Sequence, residues 1–290
     1  MKTNAIIRIV LFSLAILILS SILLGIVAFK TYRFDVNRNG ITLNPVEDVT
    51  EQFSIVNFTP DIRNIEIDWV AGSIIIQKDP SATEITVHEI FPIACKYTMF
   101  CKQSGQTLKI QYSDDDVFQF PSFGINYDIS KDLTITVPMD WECDKLEIDT
   151  AAAEVVVNDL TISEFDFDGA SGDCHITNCD IGEIDLDTVS GNVMFSGTLD
   201  KLECDAMSAD CSVEVSNIPK SVKMDGVSGD LELILPPDAG FTCYTDGMIS
   251  NFSSDFELAN TGGTYVHGDG ACRIDVDALS GNVSILKGIE

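Results

Sequence analysis

Seven aspartates stand out by their spacing: Asp68, Asp149, Asp168, Asp187, Asp205, Asp225 and Asp277 each lie four residues before a small residue, usually the glycine of Ser-Gly. Carboxylates placed at one point of a recurring turn can do two things. They can accept hydrogen bonds from turn N–H groups, as Asx turns do. They can also supply the oxygens that a hard cation such as Ca²⁺ requires. The two roles are compatible, because stacked like charges need either hydrogen bonds or a counter-ion. Ca²⁺ is the one cofactor the sequence brings into view, and the glycine-rich nonapeptide of Ca²⁺-binding β-rolls is absent.

Other reactive groups are sparse. His88, His175 and His267 are the only histidines, and no Cys-x-x-Cys occurs among the nine cysteines, so a structural zinc site is not expected. Cys174, Cys204 and Cys211 fall at apolar positions and read as small core residues. Cys95 and Cys101 could bridge a local hairpin, and Cys174 with Cys179 is a second local pairing; nine being odd, one thiol stays unpaired or pairs between chains. Phe118, Phe120, Phe123 and Tyr127 crowd a Pro/Gly-containing stretch and would serve either as a binding loop or as a cap over an open end. No nucleophile elbow, phosphate-binding loop or metalloprotease helix is present, and beyond residue 60 only Arg63 and Arg273 are arginines. No catalytic residue is assigned, and an enzyme is not expected.

These residues are positioned by a repeat. Seven segments align on Gly72, Ala153, Gly172, Gly191, Ala209, Gly229 and Gly281, with steps of 19, 19, 18 and 20 residues from Ala153 to Gly229. An imperfect copy around Met248-Ile249-Ser250 partly fills the gap before the last. Apolar residues sit seven and five before the small residue (Ile184, Leu186) and two and four after it (Val193, Phe195), with polar residues between. That period of two marks strands with one buried face. One strand–turn–strand copy cannot enclose a core alone, so copies must stack. The expectation is an all-β fold: a parallel β-solenoid of about 19-residue repeats. A β-sandwich also alternates, but gives no reason for the same residue to return at the same place.

The chain begins differently. Residues 9–29 carry no charge and are long enough, at about 1.5 Å per helical residue, to cross a bilayer's roughly 30 Å core. The segment reads as an uncleaved signal anchor, one N-terminal transmembrane helix, with a cleaved signal peptide as the rival. Residues 1–8 are then a short cytoplasmic tail, 30–60 a linker, and 61–290 an extracytoplasmic solenoid domain. Flanking basic residues are nearly balanced and do not fix orientation.

Charge narrows the partners. With 46 Asp+Glu against 17 Lys+Arg, the net charge is -29. Such a surface repels nucleic acid and anionic head groups. An evenly acidic face also keeps a long β surface soluble.

The runs LTITVP (133–138), LEIDTAAAEVVVNDL (146–160), FDGASGDCHI, LDTVSGNVMF and MDGVSGDLEL together resemble a bacterial family of membrane-anchored adhesin-like proteins, formerly a domain of unknown function built of β-strand repeats. The resemblance spans about residues 60–288. It implies a β-helix or related solenoid behind one transmembrane segment, outside a single-pass cell membrane, and offers no catalytic residues. The function expected is non-enzymatic adhesin-like binding or a structural role, with an envelope polymer, a host surface or a membrane protein as partner. An envelope-stress accessory that regulates a sensor or transporter is the alternative, and a carbohydrate-active enzyme a third. Ala152-Ala153 and Ser208-Ala209 replace Ser-Gly, so those turns should differ in shape.

Overall fold

The computed structural model describes residues 32–37, 40–45, 51–92, 98–114, 130–247 and 251–288. Among them there is no helix; every regular element is a strand. The apolar segment 9–29 lies outside the described residues, and no helix within them is long and apolar enough to cross a membrane.

The strands begin with an antiparallel hairpin, β1 (Tyr32–Asn37) and β2 (Gly40–Pro45), which pairs with nothing else described. Then come β3 (Glu51–Phe58), β4 (Asn64–Lys78), β5 (Ile85–Pro92), β6 (Phe100–Ser104), β7 (Thr107–Gln111) and β8 (Lys131–Val137). The regular repeats supply β9 (Cys143–Asn158), β10 (Thr161–Gly169), β11 (Cys174–Ser190), β12 (Val193–Ser208), β13 (Cys211–Val215), β14 (Ser221–Ser228) and β15 (Leu231–Leu235). The end of the chain gives β16 (Phe241–Gly247), β17 (Asn251–Ser254), β18 (Ala259–Thr261), β19 (Thr264–His267), β20 (Cys272–Ser280) and β21 (Asn282–Lys287).

The copies stack in parallel and in register. Phe165 pairs with Ile184, Ile184 with Leu202, Leu202 with Val222, and Val222 with Ile274. The halves before the small residue form a first sheet and those after it a second, joined in each copy by the small-residue corner. Four long strands, β4, β9, β11 and β12, run through both sheets. Following hydrogen bonds from strand to strand therefore returns to its start, although the first sheet ends at β6 and β18 and the second at β3 and β17.

Alternation explains which residues enter the core. Ile184, Leu186, Val193 and Phe195 point inward and are at most 4 % exposed. Each such side chain contributes roughly 1.5–3 kcal/mol when buried. A third inward pair, not visible in the two-strand reading, follows a second corner: Leu160 and Ile162 in one copy, Cys179 and Ile181 in the next. Asp159 and Asn178 make that corner with φ of 60° and 55°, and Asn178 Nδ2 donates to Asp159 Oδ1 one coil below (2.5 Å). Asn and Asp tolerate this left-handed conformation better than most residues.

Stacking order departs from chain order at both ends. β7 and β8 lie outside β4, so the coil latest in sequence is outermost at the N-terminal end. β20 and β21 slot between the β14/β15 and β16/β17 coils. The imperfect copy is thus the outermost coil at the C-terminal end, and its corner residues 248–250 are outside the described set. Its flank is paired antiparallel by β19, itself paired with β18. β3 falls in the segment read as linker, yet pairs antiparallel with β5 along eight residues. Its Val56 and Phe58 pack on the core, which ties residues 51–58 to the sheet.

Candidate functional site

Stacking turns every sequence position into a row across the molecule, so the outer surface is sorted by residue type. The seven aspartates fall in one row on the outer side of the first sheet, Asp68–Asp149–Asp168–Asp187–Asp205–Asp225–Asp277. Asp246 extends it to eight through its pairing with Asp277. Sequence reading missed Asp246 because its coil is out of order and lacks Ser-Gly.

The row is crowded with like charge. Asp149 is pushed up to about 6, first by burial and then by Asp168 and Asp68. Asp187 and Asp277 rise for the same two reasons, burial and then neighbouring aspartates. Asp205 also rises, chiefly through burial and against the pull of Lys223. The next row outward mixes acids with lysines. Lys145 reaches Asp166 (2.5 Å) and Glu164 (3.0 Å), Lys223 reaches Glu203 (2.6 Å) and Asp225 (3.0 Å), and Lys201 pairs with Glu183. Exposed pairs of this kind contribute about 0–1 kcal/mol each. They offset part of the repulsion rather than drive folding.

The turn hydrogen bonds expected of those aspartates go to another position. The residue just after the small one carries the acceptor. Asn192 N donates to Asp173 Oδ1 (2.7 Å), Asp230 N to Asp210 Oδ1 (2.9 Å), Asn282 N to Asp230 Oδ1 (2.8 Å) and Ser73 N to Asp132 Oδ1 (3.1 Å). Each bond links one coil to the next. The alternation of Asp and Asn at this position was the available signal. Among the described residues no group of three or more His, Cys, Asp or Glu is arranged to hold a metal ion; the residues of the aspartate row form a line along the stack.

The outer side of the second sheet is mixed in character. One row reads Ile55–His88–Thr134–Ile75–Val156–His175–Met194–Ser212 without an acid or a lysine until it reaches Glu232, whereas the outward row next to the small-residue corner carries Asp132, Glu154, Asp173, Asp210 and Asp230. Met194, Ile55 and, one row over, Phe53 are 49 %, 54 % and 71 % exposed. Among the described residues, the outer side of the first sheet thus carries an unbroken aspartate row, and that of the second sheet an uncharged band beside an acidic one.

At the N-terminal corner sits an ion pair that sequence reading did not find. Lys131 and Glu89 are both fully buried, with Nζ 2.5 Å from Oε1. Lys131 also donates to Tyr112 O (2.6 Å) and lies over the Tyr112 ring at 3.8 Å. Met99 N donates to both Glu89 oxygens at 3.0 Å. Lys131 pairs with Gly72, so it holds the small-residue position of the outermost coil. The signal was in β5, where alternation places Glu89 in line with inward Ile85, Val87 and Phe91. Beside it, Trp69, Tyr112, Asp68, Asp149 and Thr150 border an open depression of about 420 Å³.

The described cysteines are all free thiols, so the local Cys174–Cys179 pairing is not formed. Both point into the core in different parts of the coil, which explains their separation. Burial raises the thiols, to about 12 for Cys143, Cys174, Cys243 and Cys272. Cys211 rises well above its ordinary value, first through its hydrogen bond with Cys204. Such thiols are poor nucleophiles. Cys101 is half-buried, whereas its expected partner Cys95 lies outside the described residues, as do Phe118, Phe120, Phe123 and Tyr127.

The sequence matches the family model described as Toastrack DUF4097 over residues 62–286. No curated protein matches it. Among solved structures, it is similar to a "putative adhesin" from Bacteroides fragilis at 16 % identity and TM-score 0.40, covering 82 % of this chain and 97 % of that one. A "putative cell adhesion protein" from Clostridium sporogenes gives 12 % identity and TM-score 0.36, with 82 % and 100 % covered. A "putative lipid binding protein" from Parabacteroides distasonis gives 10 % and 0.29, with 82 % and 97 % covered.

Proposed function

We propose that this chain, which belongs to the Toastrack DUF4097 family, is a membrane-anchored β-solenoid that acts at the cell surface by adhesin-like, non-enzymatic contact through its outer faces. The observation that supports this reading most is the sorting of the surface. In-register coils make two long flat faces, one with an unbroken aspartate row and one with an uncharged band running from β3 to Ser212, held rigid by a continuous core. Flat faces whose chemistry is sorted into long rows suit contact with extended polymers or other proteins. Catalysis, by contrast, requires groups that converge on one point. The 9–29 segment holds the domain at a membrane, and a net charge of -29 keeps it off nucleic acid and anionic lipid.

Two measurements test the proposal. Intact cells carrying the full chain are treated with a protease or an amine-reactive label that does not enter the cell. Modification of the domain, with the chain in the membrane fraction, is the expected result; a protected domain or a chain in the soluble fraction refutes surface display. The full chain in detergent is then tested against envelope polymers, glycans and co-expressed membrane proteins. Saturable binding to one class, lost when a face is altered, is expected. Absence of binding throughout, or turnover of a polymer, refutes the reading.

A further inference from the structure

We infer that β3 is a self-pairing edge, through which two copies of this chain in one membrane join antiparallel into a dimer whose second sheets run continuously across the contact. The inference builds on the membrane-anchored reading above.

The backbone comes first. Among the described strands β3 pairs with β5 alone, so its other edge presents N–H and C=O groups with no described strand beside them. Exposed edges are templates for further pairing, and proteins protect them with lysines, prolines within the strand, bulges or brevity. β3 has none of these, and its one charged residue is Glu51 at its very start. The strand is eight residues long, pairs with β5 without a register shift, and residues 52–60 contain no charged side chain. In a chain that is 22 % charged this stretch is conspicuous.

The side chains agree. Phe53 and Ile55 share the outer face and are the two most exposed large apolar residues among those described, at 71 % and 54 %. His88 packs edge-on to Phe53 with ring centroids 6.1 Å apart. The uncharged row that reaches Ser212 begins at Ile55, so this edge opens onto that band.

The identity of the partner follows from charge and tethering. A chain of net charge -29 repels its own copies wherever acidic faces meet. Residues 52–60 of the β3 edge carry no acid, so two copies can approach there without opposing carboxylates. An antiparallel β3–β3 pair is isologous, needing only that the edge complement itself. A two-fold axis perpendicular to the sheet puts Phe53 and Ile55 of both copies on one side as cross-strand neighbours, and leaves both acidic first sheets behind the joined second sheets. Residue 51 follows the apolar segment by only about 21 residues. Two anchored copies thus present the same strand at a similar height, which raises their effective concentration.

The test uses the full chain in detergent micelles, measured by sedimentation over a concentration series. The wild type is expected to reach twice the protein mass of the monomer. The doubly substituted chain F53K/I55K is expected to associate at least tenfold more weakly, with an unchanged thermal melt because both side chains are already exposed. A wild type that stays monomeric throughout, or a double variant that still dimerises, overturns the inference. Should the lysine variant fold poorly, single cysteines at Gln52, Ser54, Ile55 and Asn57 provide a second reading. Cross-linking between copies should peak at one position, the axis, and fall off on either side; equal or absent cross-linking overturns it. Surface labelling is read separately. A displayed monomer refutes the pairing alone, and a chain not held in the membrane refutes the anchored reading.

Discussion

Replacing Gly191 by alanine probes the stacking directly. Gly191 has φ of 125°, and a Cβ built there would lie 2.1 Å from the carbonyl oxygen of Gly172 in the coil below. Two costs add. A non-glycine residue in this region carries about 1–3 kcal/mol of strain. The added methyl must also push the coils apart, and the adjoining Asn192 N to Asp173 Oδ1 bond (2.7 Å) is the first to yield. Leaving such a group unsatisfied costs about 1–3 kcal/mol. A total of about 2–6 kcal/mol is a large share of the 5–15 kcal/mol typical of a folded domain, and lowers Tm on the order of 10 °C. Gly105 is the control: its φ is 61°, but nothing lies within 4 Å of its Cβ position. Gly105→Ala should cost about 1 kcal/mol, because strain is partly offset by a less flexible unfolded chain. Ala153 and Ala209 hold the same corner position without a positive φ, which shows how a methyl is accommodated there. Urea and thermal melts of the two variants measure the difference. If Gly191→Ala costs no more than Gly105→Ala, the close coil-on-coil approach is wrong, and with it the argument from rows.

Other outcomes follow from the same geometry. Glu89→Gln or Lys131→Met alone should cost about 3–5 kcal/mol by leaving a buried partner unpaired, whereas the double replacement should recover most of that loss; a double-mutant cycle of urea melts with additive costs would contradict this. Phe165→Ala, at a fully buried site, should cost about 3–5 kcal/mol in the same assay. The pH response of the aspartate row has a definite sign. Asp149 is raised from 3.8 to about 6 in the fold, so the folded state binds the proton more tightly and stability rises as pH falls from 7 through 6 towards 4. Asp187, Asp205 and Asp277 shift in the same direction. Tm should therefore increase between pH 7 and 5, and Asp149→Asn should be more stable than the wild type at pH 7 with a flatter profile; a Tm that falls over this range refutes the crowding. Added NaCl should also raise Tm at pH 7 by screening the row, and a fall in Tm would count against that repulsion.

Local pattern was enough to define the repeating coil. The alternation around Ile184–Phe195 chose inward from outward, since a strand has only two faces, and the recurring Ser-Gly fixed the corner, since a positive φ nearly demands glycine. The near-constant spacing from Ala153 to Gly229 then gave the register, because a slip by one residue would turn every apolar side chain to water. The third inward pair was harder to see, because its corner uses Asp159 and Asn178 instead of a repeated glycine.

What tertiary structure decided concerns neighbours distant in sequence. That β20 and β21 pass inside the Phe241–Ser254 coil, or that β7 and β8 lie outside β4, has no local signature, since any coil's edges can accept any other's. Hence Asp246 joined the aspartate row only when the coils were in place. Glu89 and Lys131, 42 residues apart, could be matched only when both were enclosed and no water remained to solvate either charge. The sorting of the surface into rows arose in the same way: composition set how many carboxylates there are, and the stacking of coils set which rows they occupy.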